Sequence, residues 1–237
     1  MSRPGGRGPV LPYRPLAGVV PCPGGWLVAS GKLQGITLSP SDPIVFPALV
    51  DVLDYKPAFQ VIALAAPVGL LEEQRRGGRT CEREARRLLG PRRGAAIASA
   101  PARSALAGGA DLPGVSAVAR LHLHSTREAN EQLQPYWQRV VYEVHPELSF
   151  YQLNGDQPVT SPKRTPVGRK ERRELLEARL PGVQRLLDAK VKGAREKHLL
   201  DATACLWTAR RIAARAVQRL PEDPEWDSQG LRMEFVR

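Results

Sequence analysis

The sequence has few cysteines and no long apolar run. Its three cysteines, Cys22, Cys81 and Cys205, are far apart along 237 residues, which excludes a disulfide framework and a closed structural zinc site. Sparse cysteine of this kind is typical of a reducing cytosol, so we expect a cytoplasmic protein. No apolar run approaches the ~18 residues that a membrane span needs, and we expect no membrane partner.

Acidic residues are also in the minority. The chain has 24 aspartates and glutamates against 35 lysines and arginines, and its formal net charge is +11. A positive charge of this size favours an anionic partner such as DNA or RNA. A chain rich in alanine, arginine, glycine and proline can also carry its arginines as solvated surface, and charge alone leaves both interpretations open.

The domain organisation follows from composition and length. Residues 1–15 are rich in arginine, glycine and proline and lack the apolar segment of a secretory signal. This composition predicts a flexible basic tail. Residues 16–237 are numerous enough to bury a sizeable core, and we expect them to form a single domain.

The first half of the chain predicts three strands, a helix and a buried strand. Short β-rich runs at 16–20, 26–30 and 33–38 are typical of an antiparallel meander, with Gly31-Lys32 as the second turn. Apolar residues at helical spacing predict a helix over 44–55. The continuous apolar run at 61–66 favours a strand buried on both faces, and such strands are usually parallel and central.

The second half predicts a strand at 140–144, a long helix over 199–220 and a final edge strand at 231–236. Arg211, Arg215 and Arg219 would form a basic stripe on that helix. The complete order predicts an α/β fold with a mixed sheet, in which a three-strand antiparallel meander is extended by parallel strands and flanked by helices.

Local strings carry a family resemblance. They occupy residues 18–26, 61–70, 79–86, 100–103, 142–150, 161–169 and 199–202, and Glu-Val-His-Pro-Glu at 143–147 is the most specific. The chain resembles the family of uncharacterised proteins predicted to be RNase H-like (RuvC-like) nucleases, over roughly residues 16–236. The predicted element order is also that of the RNase H-like fold.

This resemblance implies a reaction whose usual residues are replaced here. RNase H-like nucleases hold two Mg²⁺ ions with carboxylates on the first strand, the fourth strand and a late helix. Val20 and Ala65 stand where the two strand aspartates are expected, and neither offers a ligand atom. An aspartate pair usually found near the start of the last helix appears as Lys197-His198, which leaves Asp201. The resemblance therefore implies a degenerate member without the standard two-metal reaction.

A second group of acidic residues survives near the end of the strand at 140–144. Residues at strand spacing two share a face, so Glu143 and His145 are expected to point the same way. Together with Glu147 and Asp201 they are candidates for general acid–base catalysis, and Asp201 and Glu143 are candidate ligands for Mg²⁺ or Mn²⁺. In the alternative interpretation, Glu143 pairs with an arginine and His145 hydrogen-bonds a loop carbonyl.

Several cations could hold phosphate, because the guanidinium fork matches its oxygens well. As plain solvated charges they would have no such role. His122 and His124 have the spacing of a strand pair that could ligate a metal, but no placed carboxylate or cysteine completes the set. The candidate phosphate or nucleic-acid contacts are Arg79, Arg103, Lys163, Arg164 and Arg169.

Three functions remain open at this point. The first is a degenerate RNase H-like protein that binds nucleic acid without cutting it. The second is an active metal-dependent nuclease or phosphodiesterase that uses Glu143, Glu147, Asp201 and Glu82, the last of which replaces a usual aspartate. The third is a structural or assembly role, in which the replaced site is buried and the protein forms a homo-oligomer.

Overall fold

The computed structural model describes residues 12–107 and 115–237. Most of the predicted tail, residues 1–11, lies outside the described residues. The first strand begins at Arg14, within the last two residues of the predicted tail. No helix in the described ranges is both long and apolar enough to cross a membrane.

Four strands open the described chain, groups of helices then precede and follow the strand at Val141–Glu143, and two strands come last. In the described residues the strands are β1 (Arg14–Cys22), β2 (Gly25–Gln34), β3 (Thr37–Pro40), β4 (Ile44–Phe46), β5 (Val61–Leu64), β6 (Val141–Glu143), β7 (Arg219–Trp226) and β8 (Arg232–Val236). The helices are α1 (Leu49–Leu53), α2 (Thr80–Arg93), α3 (Arg103–Ala107), α4 (Ala117–Leu121), α5 (Leu123–Gln132), α6 (Pro146–Leu153), α7 (Pro166–Arg179), α8 (Gln184–Leu187) and α9 (Glu196–Ala213), with 3-10 turns at Gly94–Ala96 and Pro135–Arg139.

The main sheet is mixed, as the sequence predicts. Its strand order is β3-β2-β1-β5-β6, and β4 also pairs with β2. The strands β1, β2 and β3 are antiparallel, whereas β5 runs parallel to β1 and β6 runs parallel to β5. All four residues of β5 are buried, which explains its unbroken apolar sequence: a strand covered on both faces has no polar face.

Helices cover both faces of the sheet. Because side chains alternate along a strand, Leu16 and Val20 of β1 lie in a core with α6, α7 and α9, whereas Ala17 and Val19 lie in a second core with α1 and α5. Gly18 faces α9, where a Cβ would lie 2.1 Å from the Ala202 carbonyl oxygen. The absence of a side chain at this position lets α9 lie directly on β1.

The direction of α9 positions the candidate site. Arg14 at the start of β1 donates a hydrogen bond from Nη1 to the Ala213 carbonyl at the end of α9 (3.2 Å). At the other end, the Gly24 N–H beyond β1 donates to the Gly193 carbonyl just before α9 (3.0 Å). The N-terminus of α9 therefore lies beside the C-terminal end of β1.

The predicted helix over 44–55 is wrong in its first half. Residues Ile44–Phe46 are strand β4, with Phe46 opposite Trp26 of β2, and the helix begins only at Leu49. Pro47 disfavours the helical conformation at Phe46, the residue before it, so this backbone is extended.

Two further boundaries differ from the predictions. The second turn lies at Gly35, which has a positive φ of 58°, and β2 continues through Gly31-Lys32. The last helix ends at Ala213 because Arg215 takes a left-handed conformation (φ 57°). Arg219 lies in β7, so the predicted basic stripe does not form. Strand β8 pairs with β7 in a separate two-stranded sheet and is not an edge of the main sheet.

Candidate functional site

The C-terminal ends of β1, β5 and β6 meet the start of α9 at one edge of the sheet. Ligands of α/β proteins generally bind outside this edge. Val20, at the end of β1, is only 3% exposed and belongs to the core beneath α9. Ala65, which follows β5, packs against the same core. Of the two positions at which the family resemblance implies aspartates, Val20 is therefore in the core and Ala65 is a half-buried apolar residue against it.

Asp201 lies in the second turn of α9 and is paired with Lys163 from the loop before α7. The Lys163 Nζ is 2.6 Å from Asp201 Oδ2, and the second carboxylate oxygen, Oδ1, is shielded from solvent with no hydrogen-bond partner in the described residues. Burial would by itself lower the pKa of Lys163, but the Asp201 carboxylate outweighs it and raises that pKa. Asp201 therefore faces an ammonium group where a metal ligand would face a metal ion.

Two histidines are near this pair. Burial, together with the positive charges of Lys197 and Lys163, lowers the pKa of His198 to about 4. Burial and the same two lysines also lower the pKa of His122. Sequence reasoning missed this proximity, because His122 lies between α4 and α5 and not on a strand. Near neutral pH the His198 imidazole is uncharged in this basic surrounding.

His145 has a structural position at the start of α6. Its Nδ1 accepts a hydrogen bond from the Glu147 N–H (3.2 Å), so the imidazole caps the helix. The alternative interpretation named a loop carbonyl as its partner, and the partner in the structure is this amide. Burial lowers the pKa of His145 to about 4, so the ring is neutral and accepts at Nδ1.

Glu147 is buried between two arginines. Both of its oxygens accept hydrogen bonds from Arg172 Nη2 (3.0 and 2.8 Å), and Oε2 also accepts one from Arg93 Nη2 (2.7 Å). Burial would raise the pKa of Glu147, but the charges of Arg172, Lys163 and Arg93 outweigh it and lower that pKa. Glu147 is therefore a fixed anion between arginines.

Glu143 is held in a buried ion-pair network. Arg79, which is only 2% exposed, donates from Nη1 and Nη2 to the two oxygens of Glu143 (2.8 and 2.6 Å) and from Nε to Glu82 (2.9 Å). The Val68 N–H adds a third hydrogen bond to Glu143 (2.7 Å). The geometry is that of the alternative interpretation, in which Glu143 pairs with an arginine.

These contacts decide whether a metal fits. The carboxylates of Glu143, Glu147 and Asp201 each bind a cationic side chain of the protein. In the two described ranges there is no group of three or more histidines, cysteines, aspartates or glutamates that could hold a metal ion. The donor set does not fit the Mg²⁺ or Mn²⁺ of the RNase H-like reaction, which requires several convergent oxygen ligands.

The candidate phosphate contacts are mostly engaged within the protein. Arg79 is buried, Lys163 pairs with Asp201, and Arg169 pairs with Glu196 (2.7 Å). Arg103 donates to Asp227 (2.6 Å) and Glu72 (2.8 Å), and it also contacts Asn130. Arg164 alone of these five candidates is exposed, and it has no ion pair in the part of the chain that the structure describes.

Four further cations were missed by sequence reasoning. They lie between α8 and the first turn of α9, are exposed, and have no ion pair to any described residue: Lys190, Lys192, Arg195 and Lys197. The first three border one open cleft of about 580 Å³. The sequence signal is the run 190–197, in which four cations stand against one acid. Arg169 connects Arg164 to this segment, because it donates to the Arg164 carbonyl (2.8 Å) and pairs with Glu196. We call Arg164 and these four cations the basic edge.

The comparisons with known proteins identify a family. The sequence model of a protein family of unknown function, DUF429, matches residues 18–226. The chain belongs to the DUF429 family. No curated protein and no solved structure matches the chain. The matched range extends from β1 into β7 and contains the paired carboxylates and the whole basic edge.

Proposed function

We propose that this DUF429 protein is a degenerate RNase H-like protein that binds the phosphate backbone of nucleic acid and does not cut it by a two-metal reaction. One observation carries the proposal. At the sheet edge where a metal site would be expected, the carboxylates are neutralised by the protein's own cations, while the five cations of the basic edge are exposed and unpaired in the described residues.

The RNase H-like part of the proposal rests on topology and on local strings. The order β3-β2-β1-β5-β6, with three antiparallel strands followed by two parallel ones, is the order that the resemblance implies. Asp201 also lies on a late helix packed against β1, where the resemblance places a carboxylate. Val20, Ala65 and Lys163 explain why such a fold would bind without metal-dependent cleavage.

Phosphate binding has a measurable electrostatic signature. Each cation that neutralises a phosphate of duplex DNA releases condensed counterions, so the logarithm of affinity falls linearly with the logarithm of salt concentration. Five phosphate contacts correspond to a slope of about −4.5, and fewer contacts give a shallower slope. Because no step uses a metal, EDTA should leave the affinity unchanged.

Fluorescence anisotropy with labelled duplex DNA and duplex RNA, at increasing NaCl and with either EDTA or Mg²⁺, tests this proposal. The test variant is Lys190→Glu/Lys192→Glu in the basic edge. The matched control, Arg139→Glu/Arg215→Glu, changes the net charge by the same amount at exposed positions. Arg139 precedes β6 and Arg215 follows α9, so both lie at the ends of these elements that are away from the basic edge. We expect the affinity to fall at least tenfold in the test variant and much less in the control.

Three outcomes would overturn the proposal. Equal losses in both double variants would mean that only net charge matters. An affinity that does not depend on salt would exclude phosphate contacts. Mg²⁺-dependent cleavage that Asp201→Asn abolishes would establish the metal-dependent nuclease instead, despite the Lys163 contact.

A further inference from the structure

A second group of arginines borders a cavity that shares no lining residue with the basic edge. This cavity, of about 590 Å³, lies between the loop before α2 and the segment after the 3-10 turn at Gly94–Ala96. No aspartate or glutamate is among the described residues that line it. Its polar side chains are Gln74, Arg75, Arg76, Arg86, Ser99 and Ser116. We call it the arginine cavity.

The loop that carries Arg75 and Arg76 into the wall of the arginine cavity is a tight turn. Gly77 and Gly78 both have positive φ, at 80° and 71°, and the Gly78 N–H donates to the Arg75 carbonyl (2.8 Å). A Cβ on Gly78 would lie 2.1 Å from Glu82 Oε2, so this position requires glycine. The turn fixes the backbone that carries Arg75 and Arg76.

Arg86 reaches the same cavity from α2. Its Nη2 donates to the Gly77 carbonyl (2.6 Å) and to Ser99 Oγ (2.9 Å), which orients the guanidinium. Its Nη1 is shielded from solvent and has no hydrogen-bond partner in the described part of the chain. Arg86 therefore lines the cavity with a guanidinium that neighbouring oxygens hold in a fixed orientation.

The charges of the cavity are only partly compensated. Glu225 neutralises Arg75 through two parallel hydrogen bonds (3.0 and 2.7 Å). The buried carboxylate of Glu82, in the first turn of α2, is occupied by Arg79 and by the Ala100 N–H. Arg76 is exposed, and neither Arg76 nor Arg86 forms an ion pair with a described residue. Two guanidinium charges at the cavity therefore lack a counterion among the described residues.

We propose that the arginine cavity binds a small, multiply charged phosphate compound such as pyrophosphate or a nucleoside diphosphate. Guanidinium groups suit phosphate because their forked donors match its oxygens. The cavity volume falls within the range of about 300–1,000 Å³ that is usual for small-molecule sites. No aromatic side chain lines it among the described residues, so recognition rests on the phosphates and not on base stacking.

Isothermal titration calorimetry of the full chain with sodium pyrophosphate tests this proposal. We expect one binding site per chain, and an affinity about tenfold or more lower in Arg76→Ala, which loses one charged contact. Arg86→Lys keeps the charge but loses the fork, and we expect it to bind more weakly as well. Arg87→Ala is the matched control, because Arg87 is exposed on α2 next to Arg86 but does not line the cavity. It should bind like the unmodified protein.

Competition between pyrophosphate and duplex DNA distinguishes a separate small-phosphate site from a part of the nucleic-acid surface. Saturating pyrophosphate should leave duplex binding in place, and Lys190→Glu/Lys192→Glu should leave pyrophosphate binding unchanged. Absence of pyrophosphate binding, or equal weakening by Arg76→Ala and Arg87→Ala, would overturn the proposal. Displacement of pyrophosphate by duplex DNA, with Arg76→Ala weakening duplex binding, would also overturn it and would extend the nucleic-acid surface to this cavity.

Discussion

The buried network around Arg79 and the exposed basic edge contain the same kinds of cation but differ in their partners. Inside, Arg79 lies between Glu143 and Glu82, and Arg172 lies against Glu147. At the edge, Lys190 and Lys192 have no carboxylate partner in the described residues. A buried charge is costly unless it is paired, whereas an exposed charge is stabilised by water and stays available to a ligand.

This difference separates structural residues from candidate binding residues. Glu143 and Glu147 are the acidic residues of the most specific sequence string, yet both are neutralised and enclosed. The cations of 190–197 belong to no recognised string and face solvent. Burial and pairing therefore assign the acidic residues of the string to structural contacts and leave the cations of 190–197 as the candidates for binding.

The largest expected effect breaks the buried network. Arg79→Met should lower the free energy of unfolding by about 3–5 kcal/mol, because it leaves Glu143 and Glu82 buried without their cation. Urea denaturation followed by circular dichroism measures this loss. The double variant Arg79→Met/Glu143→Gln should recover part of it, since one of the stranded charges is then removed. A loss below about 1 kcal/mol in Arg79→Met would show that the network does not contribute as a buried ion pair.

The next effect concerns pH and the histidine beside Glu147. The pKa of His145 is lowered to about 4 in the folded protein, against about 6.5 when unfolded. Since the unfolded state gains the proton first, stability falls as the pH drops through that interval. Between about pH 7.5 and 5 the loss from this group is about 2 kcal/mol.

His145→Asn tests this assignment, because asparagine can still cap α6 but does not titrate. Urea denaturation at the two pH values should show a smaller difference in unfolding free energy for the variant than for the unmodified protein. His122 and His198 are present in both and serve as the internal background. An identical pH dependence in the two proteins would contradict a His145 that is neutral because its pKa is lowered in the folded state.

Local patterns predict those parts of the fold that depend on local burial. The apolar run at Val61–Leu64 predicts a strand covered on both faces because its composition records that burial directly. Strand β4 was missed, since its conformation depends on pairing with β2 and on Pro47. The end of α9 was misplaced because one left-handed residue, Arg215, stops a pattern that otherwise continues.

The sequence names part of the candidate site but not the contacts between its residues. The sequence indicates Glu143 and suggests that it pairs with an arginine, without indicating which one. Arg79 is 64 residues away, and only the fold brings the two together. Likewise, the run 190–197 is visibly basic, whereas its position at the sheet edge depends on α9 packing against Gly18. Contacts between distant segments carry most of the functional interpretation.

The smallest expected change in stability concerns the basic edge. Lys190→Ala/Lys192→Ala removes two exposed, unpaired charges, so the free energy of unfolding should change by less than about 0.5 kcal/mol. The same variant should reduce the magnitude of the salt slope of duplex binding by about two. The reason is that the variant makes two fewer phosphate contacts and binding therefore releases fewer counterions. Urea denaturation and salt-dependent anisotropy on one preparation measure both quantities. A large loss of stability with an unchanged slope would reverse the assignment and make the basic edge a structural element like the buried network.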